Sequence, residues 1–196
     1  MIAVLLPPTL GVPTRLPGLA DGLPDHGFTP VRPEVGGDDQ PPYGTRYVAR
    51  ASLEINRLVD PGAPTALVAE GGSGPLLGAV GQAQRAAHRP VFGYVLVDAF
   101  LPQPGNPTRA DIAKSQSPEG GETGTDAADE PDGYRTEPLP MLSDWPDAPC
   151  GYVLTDPALV HVARLAELRG WTVRRTVPEK ASETLADLLT DLRGMV

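Results

Sequence analysis

Few side chains in this sequence stand where they could do covalent or acid–base chemistry. Glu70 and Ser73 flank a glycine cluster in TALVAEGGSGPLL (Thr65 to Leu77), Asp98 directly follows an apolar run, and Cys150 is the single cysteine. A carboxylate at a strand end can take a proton if burial raises its pKa. Glu70 could equally form an ordinary ion pair with Arg15 or Arg32. A serine or cysteine attacks a carbonyl only with a base beside it. The three histidines do not supply one: His26 sits beside a helix-ending glycine, His88 at the end of another helix, and His161 in mid-helix. Asp38 and Asp39 are adjacent carboxylates of the kind that bind a metal, but no further ligand pattern surrounds them, and the pair reads as a solvated turn. Asp98 can likewise be a base, a binding carboxylate or the cap of its own loop.

These residues depend on a repeating scaffold. Ile2 to Leu6 is an apolar run stopped by Pro7-Pro8, and it reads as a buried parallel strand. Leu16, Leu19, Ala20 and Leu23 have helical spacing, ended by Asp25-His26-Gly27, and Phe28 to Arg32 makes a short strand. A helix is expected from about Thr45 to Leu58. Thr65 to Ala69 is the next buried strand, and Gly71, Gly72 and Gly74 permit a sharp turn with positive φ before Pro75 opens a helix reaching about Ala87. Val91 to Val97 is a continuous apolar run that only a doubly covered sheet would bury. Pro149 to Leu154 and Trp171 to Val177 read as strands, with helices over Asp156 to Arg169 and Glu179 to Arg193. Cys150 enters its strand at the end away from the ligand edge and reads as a buried structural thiol.

Alternating strands and helices imply an α/β fold, a mainly parallel sheet of about six strands with helices on both faces. In such sheets ligands collect at the carboxyl ends of the strands. The segments there are Pro8, Thr9, Leu10, Gly11 and Val12 after the first strand, Val35 to Gly37 with Gly36 between, Glu70 with Gly71 and Gly72, and Phe100 with Leu101. Residues 1–196 read as one domain. About 103–140 forms an acidic insertion, SQSPEGGETGTDAADEPDG at its centre, expected to be mobile over much of its length and to act either as a lid or as a solubilising loop.

The turn after the third strand has the outline of a nucleophile elbow, and the residues around it resemble the α/β-hydrolases. TALVAEGGSGPLL is similar to a subgroup pattern LVAHSGAGPLL, which lays the nucleophile on Gly71. LVDAFLP (Leu96 to Pro102) resembles the FVDAGLP that follows the next strand in that subgroup, and Leu168-Arg169-Gly170-Trp171 resembles the RGW before its last strand. The resemblance implies a trimmed α/β-hydrolase fold lacking the first antiparallel hairpin. It also implies an oxyanion-hole amide in the Pro8 to Val12 loop and a catalytic histidine after the final strand. Val177-Pro178-Glu179-Lys180-Ala181-Ser182 contains no histidine, and glycine at position 71 carries no nucleophile. Reading Ser73 as the nucleophile instead pushes the turn two residues into the helix and puts Pro75 where the last glycine belongs.

Composition narrows the partners. The 196 residues carry a net charge of −9, which disfavours nucleic acid and anionic membrane. No run approaches the roughly 18 apolar residues of a membrane span, MIAVLLPPTLG reads as a strand and not as a signal peptide, and one cysteine allows no internal disulfide. A cytoplasmic protein is expected. No nucleotide or metal motif is present, so no cofactor and no metal are expected.

A hydrolase fold without its triad resembles the atypical peptide epimerases of ribosomal-peptide antibiotic biosynthesis, the bottromycin type. That resemblance implies conversion of L-Asp to D-Asp beside a thiazoline or thiazole in a macrocyclic peptide. The proton at Cα would be removed without a nucleophile, by Glu70, by Asp98 or by the substrate's own carboxylate. The alternatives are a non-catalytic protein that binds a modified peptide or other small hydrophobic ligand, and a serine hydrolase using Ser73.

Overall fold

The computed structural model describes residues 1–117 and 130–195. Six strands form one sheet in the order β2-β1-β3-β4-β5-β6, and every neighbouring pair is parallel. The strands are β1 (Ile2–Leu6), β2 (Thr29–Val31), β3 (Thr65–Glu70), β4 (Val91–Val97), β5 (Cys150–Leu154) and β6 (Thr172–Arg175). Helices α1 (Tyr43–Leu58), α2 (Leu77–Ala86), α3 (Arg109–Gln116), α4 (Val160–Leu168) and α5 (Ala181–Arg193) connect or cover them.

The continuous apolar strands are explained by burial on both sides. Leu67 and Ala69 of β3, with Tyr94 and Leu96 of β4, pack against α1, α2 and α4. Their alternates Ala66, Val68, Val95 and Val97 pack against α5 and the 16–28 segment. Successive strand side chains point to opposite faces, so a strand buried on both has no polar alternation to show. Each fully buried leucine contributes roughly 1.5–3 kcal/mol of transfer free energy.

The helix expected over Leu16 to Leu23 is a chain of tight turns instead. Leu19, Asp21, Leu23 and His26 each donate an amide to the carbonyl three residues earlier, and a 3-10 turn runs Pro24–His26. Pro17, Gly18, Gly22 and Pro24 interrupt any longer helix, yet Leu16, Leu19, Ala20 and Leu23 are all buried as their spacing implies. Several expected elements begin or end differently. The elbow is a 3-10 turn, Gly71–Leu76, before α2 begins. The fourth helix is preceded by a 3-10 turn, Pro157–Leu159, capped by Asp156, whose Oδ1 accepts the Ala158 amide at 2.9 Å.

The described parts of 103–140, residues 103–117 and 130–140, contain a helix and side-chain contacts to the rest of the fold. α3 opens with a capping box in which Thr108 and Asp111 bond reciprocally. Beyond it, Glu137 accepts the amides of Tyr43 at 2.9 Å and Gly44 at 3.1 Å. A carboxylate at the start of α1 satisfies two of the helix's unpaired donors and favours its dipole. The acidic centre of the insertion, with Glu119, Glu122, Asp126 and Asp129, lies outside the described residues.

Candidate functional site

The carboxyl ends of β1, β3, β4 and β5 converge on one edge of the sheet, and the elbow stands at its middle. Gly71 has φ +55, and a Cβ built there would meet nothing within 4 Å. The backbone adopts a conformation that side chains resist, and the space above it is open. Gly72 differs: its Cβ would come 2.5 Å from Thr9 Oγ1. Gly74 would meet Ala99 Cβ and the Phe100 carbonyl at 2.6 Å. The elbow is thus pressed on two sides by the loops after β1 and β4.

Two clefts open beside this turn and share the wall formed by Pro8, Val12 and Glu70. The first is walled by Pro8, Val12, Arg15, Gly71, Asp98 and Asp156, with Glu70, Gly72 and Leu159 contributing. The second runs over β1 and is lined by Pro7, Pro8, Val12, Thr14, Pro33 and Glu70, above Leu5, Leu16 and Val68. Pro8, Val12 and Glu70 belong to both, so a ligand lying across the elbow passes Glu70.

Glu70 is buried, and its carboxylate is held by the chain ahead of it. Oε1 accepts the Arg15 amide at 2.7 Å, and Oε2 accepts the Thr14 hydroxyl. The ion pairs considered for it do not form: the Arg15 side chain reaches Asp156 at 3.7 Å, and Arg32 donates to the Pro17 carbonyl. Asp98 is more heavily engaged. It accepts the amides of Thr155 at 2.8 Å and Asp156 at 3.1 Å, and the Thr155 hydroxyl. Its φ of +44 is one that aspartate tolerates better than most residues. Of the two candidate bases, Asp98 is the loop cap and Glu70 faces both clefts.

Ser73 is fully buried and donates to the Glu70 carbonyl at 2.9 Å. A hydroxyl spent on its own turn has no base to activate it. Cys150 is buried, with its thiol pushed above the ordinary thiol range by desolvation. His26 lies 3.7 Å from Asp187, beneath α5, while His88 and His161 are exposed.

In the loop expected to present an oxyanion amide, Pro8 and Val12 line both clefts, and one amide is engaged by a side chain within the protein. Leu10 and Gly11 both have positive φ, and the Leu10 amide donates to Asp38 Oδ2 at 2.7 Å. Asp38 is buried, not solvated; Asp39 is exposed. Thr9 is buried, its Oγ1 bonded to the Tyr134 hydroxyl. Val35 is partly buried against the core and Gly36 is exposed. Phe100 and Leu101 belong to the core, and the Leu101 amide and carbonyl are both taken by the Gln116 side chain at 2.8 Å. Among the described residues no cluster of three metal-ligating side chains occurs, and no helix is long and apolar enough to cross a membrane.

Sequence reading did not single out Arg109, Tyr134 and Tyr47, which close the far side of the elbow. Arg109 Nη1 donates to the Gly72 carbonyl at 2.7 Å, and the guanidinium lies 4.4 Å from the centre of the Tyr134 ring. Desolvation lowers the Arg109 pKa, against the attraction of Tyr134, Tyr47, Glu130 and Asp38. Burial raises that of Tyr47, whose hydroxyl donates to the Pro7 carbonyl at 2.5 Å. The available signal was T-R-A-D at 108–111, a helix-opening box placing Arg109 in the first turn.

No family model and no curated protein sequence matches the chain. Among solved structures, it is similar to an extracellular α/β-hydrolase from a Paenibacillus species, described as sharing structural and functional homology with tobacco salicylic acid binding protein 2. The TM-score is 0.59 at 15% identity, over 98% of this chain and 99% of that one. The fold is that of an α/β-hydrolase, reduced to six parallel strands.

Proposed function

We propose that this protein is a cytoplasmic peptide epimerase. In this reading it converts L-Asp to D-Asp next to a thiazoline or thiazole in a macrocyclic ribosomal peptide, as in bottromycin-like antibiotic biosynthesis. The observation that carries the reading is Gly71: the position of a hydrolase nucleophile is kept in its positive-φ geometry, with open space above it and no side chain. A site so built can receive a carbonyl-like group but cannot form an acyl-enzyme.

Glu70 is the base we assign. It borders both clefts and carries fewer hydrogen bonds than Asp98. The Cα–H bond breaks, the proton passes to the Glu70 carboxylate, and the electron pair spreads into the adjacent C=N of the ring. Water on the opposite face of Cα then supplies a proton, giving the D centre, and the hydroxide left behind takes the proton from Glu70, which restores the carboxylate and the water. The opening amides of the 71–76 turn have no acceptor within the turn, and they are the donors assigned to the developing charge.

Glu70→Gln is the test. The amide oxygen can keep the Arg15 amide, and the new amine can donate to Thr14, so the fold is retained. Deuterium uptake at the Asp Cα of an azoline macrocycle should fall by about 100-fold or more. An unchanged rate moves the base to the substrate's own carboxylate.

One observation favours a second reading, a non-catalytic binding protein for a small hydrophobic or peptide ligand. Both carboxylates at the elbow accept backbone amides, an arrangement that also serves purely to hold loops. Tight binding without exchange would select it.

A further inference from the structure

Arg109 is 9% exposed, and its charge is used unevenly. Nη1 bonds the Gly72 carbonyl at 2.7 Å, while Nε and Nη2 are buried with no hydrogen-bond partner among the described residues. Those two atoms are one edge of the guanidinium, the parallel pair of donors that matches the two oxygens of a carboxylate. A buried polar group normally finds a partner, and a buried cation without one is costly. The nearby acids do not fill the role: Asp38 Oδ2 accepts the Leu10 amide, and Glu130 is paired with Arg135.

We propose that the Nε/Nη2 edge of Arg109 is a carboxylate-binding site beside the glycine elbow, with Tyr134 as its cover. Tyr134 stacks on the guanidinium, bonds Thr9 Oγ1, and lies 3.6 Å from the position a Gly72 Cβ would take. Displacing Tyr134 would expose the guanidinium beside Gly72, and this is the route by which a carboxylate would reach the fork. A monoanion fits better than a phosphate. The site offers one positive charge, and the fields of Asp38 and Glu130 already act on it, so a second negative charge on the ligand meets repulsion. The assignment rests on the proposed function only in taking this carboxylate to be that of the substrate aspartate, held away from Cα so that Glu70 remains the base.

The test reads binding without turnover. Sodium propionate is titrated into the full chain while the Arg109 Nε–H resonance, identified by its loss in Arg109→Lys, is followed by NMR; propionamide and inorganic phosphate are titrated in parallel. Propionate should shift that resonance saturably and the other two should not. Arg109→Lys, which keeps charge but loses the fork, should weaken binding by about tenfold or more, measured by competition or thermal stabilisation. Tyr134→Phe keeps Arg109 and the ring but frees the cover from Thr9, and it should tighten propionate binding. The proposal is overturned by the absence of a saturable shift in wild type and Tyr134→Phe, by an equal response to propionamide, by preferential phosphate binding, or by weaker or unchanged binding in Tyr134→Phe. Propionate binding in a protein that exchanges no deuterium would sustain the site and refute the epimerase. Exchange without propionate binding would do the reverse.

Discussion

Asp98 and Thr155 are joined twice, once through the Thr155 amide at 2.8 Å and once through its hydroxyl. This ties the end of β4 to the loop after β5, which carries Asp156 into the cleft. Asp98→Ala removes the acceptor of three donors and should destabilise the fold by about 2–4 kcal/mol. Asp98→Asn retains an acceptor for the amides and tolerates the positive φ. It should leave deuterium exchange within about twofold of wild type, since the proposed mechanism gives the proton to Glu70 and leaves Asp98 to position a loop. Urea unfolding and the exchange assay separate the two effects.

The elbow glycines should fail for different reasons. Gly71→Ala meets no neighbour but forces a Cβ into φ +55, costing about 1–2 kcal/mol. Gly72→Ala collides with Thr9 Oγ1 at 2.5 Å, costing about 1–3 kcal/mol. Thr9→Ala should relieve the second substitution and not the first, a coupling that a double-mutant cycle reads directly.

Gly71→Ser puts a hydroxyl where the proposed alignment with α/β-hydrolases lays the nucleophile, but supplies no base, since residues 176–196 contain no histidine. Turnover of p-nitrophenyl acetate should stay at the wild-type background. Burst release of nitrophenolate would reveal a base that the structure does not place there.

Alkaline titration should expose the buried phenols. Burial raises the pKa of Tyr47, Tyr94, Tyr134 and Tyr152, four of the five tyrosines. Their folded pKa values exceed the unfolded ones, so their contribution to stability is complete below about pH 10 and is lost as pH rises beyond it. Phenolate absorbance for these four should appear together with loss of tertiary structure, not before it.

The parallel sheet was legible because its signals are local. Val91 to Val97 is apolar throughout, and Gly71 to Pro75 punctuates a strand-to-helix turn. The turns over residues 16–26 were misread because buried leucines at helical spacing dominate the pattern, while Pro17, Gly18 and Gly22 decide the backbone. The carboxylates at the sheet edge were also visible, since strand ends place them there.

Arg109, Tyr134 and Asp38 were harder to see for a physical reason. Each acts across a large sequence separation: Thr9 to Tyr134 spans 125 residues and Arg109 to Gly72 spans 37. Their partners are backbone atoms or hydroxyls, which leave no complementary charge pattern. Acidic, glycine-rich neighbours around Tyr134 further suggest solvent, although Glu137 is used to cap α1.

The most direct test of nucleophile-free proton transfer at the glycine elbow is incubation with an azoline-containing Asp macrocycle in D2O, with deuterium at the Asp Cα read by mass spectrometry. Wild type should introduce one deuterium at that centre without changing covalent connectivity, and Glu70→Gln should lose that ability. Tight binding with no protein-dependent exchange would contradict the account, as would addition of water across an ester or amide.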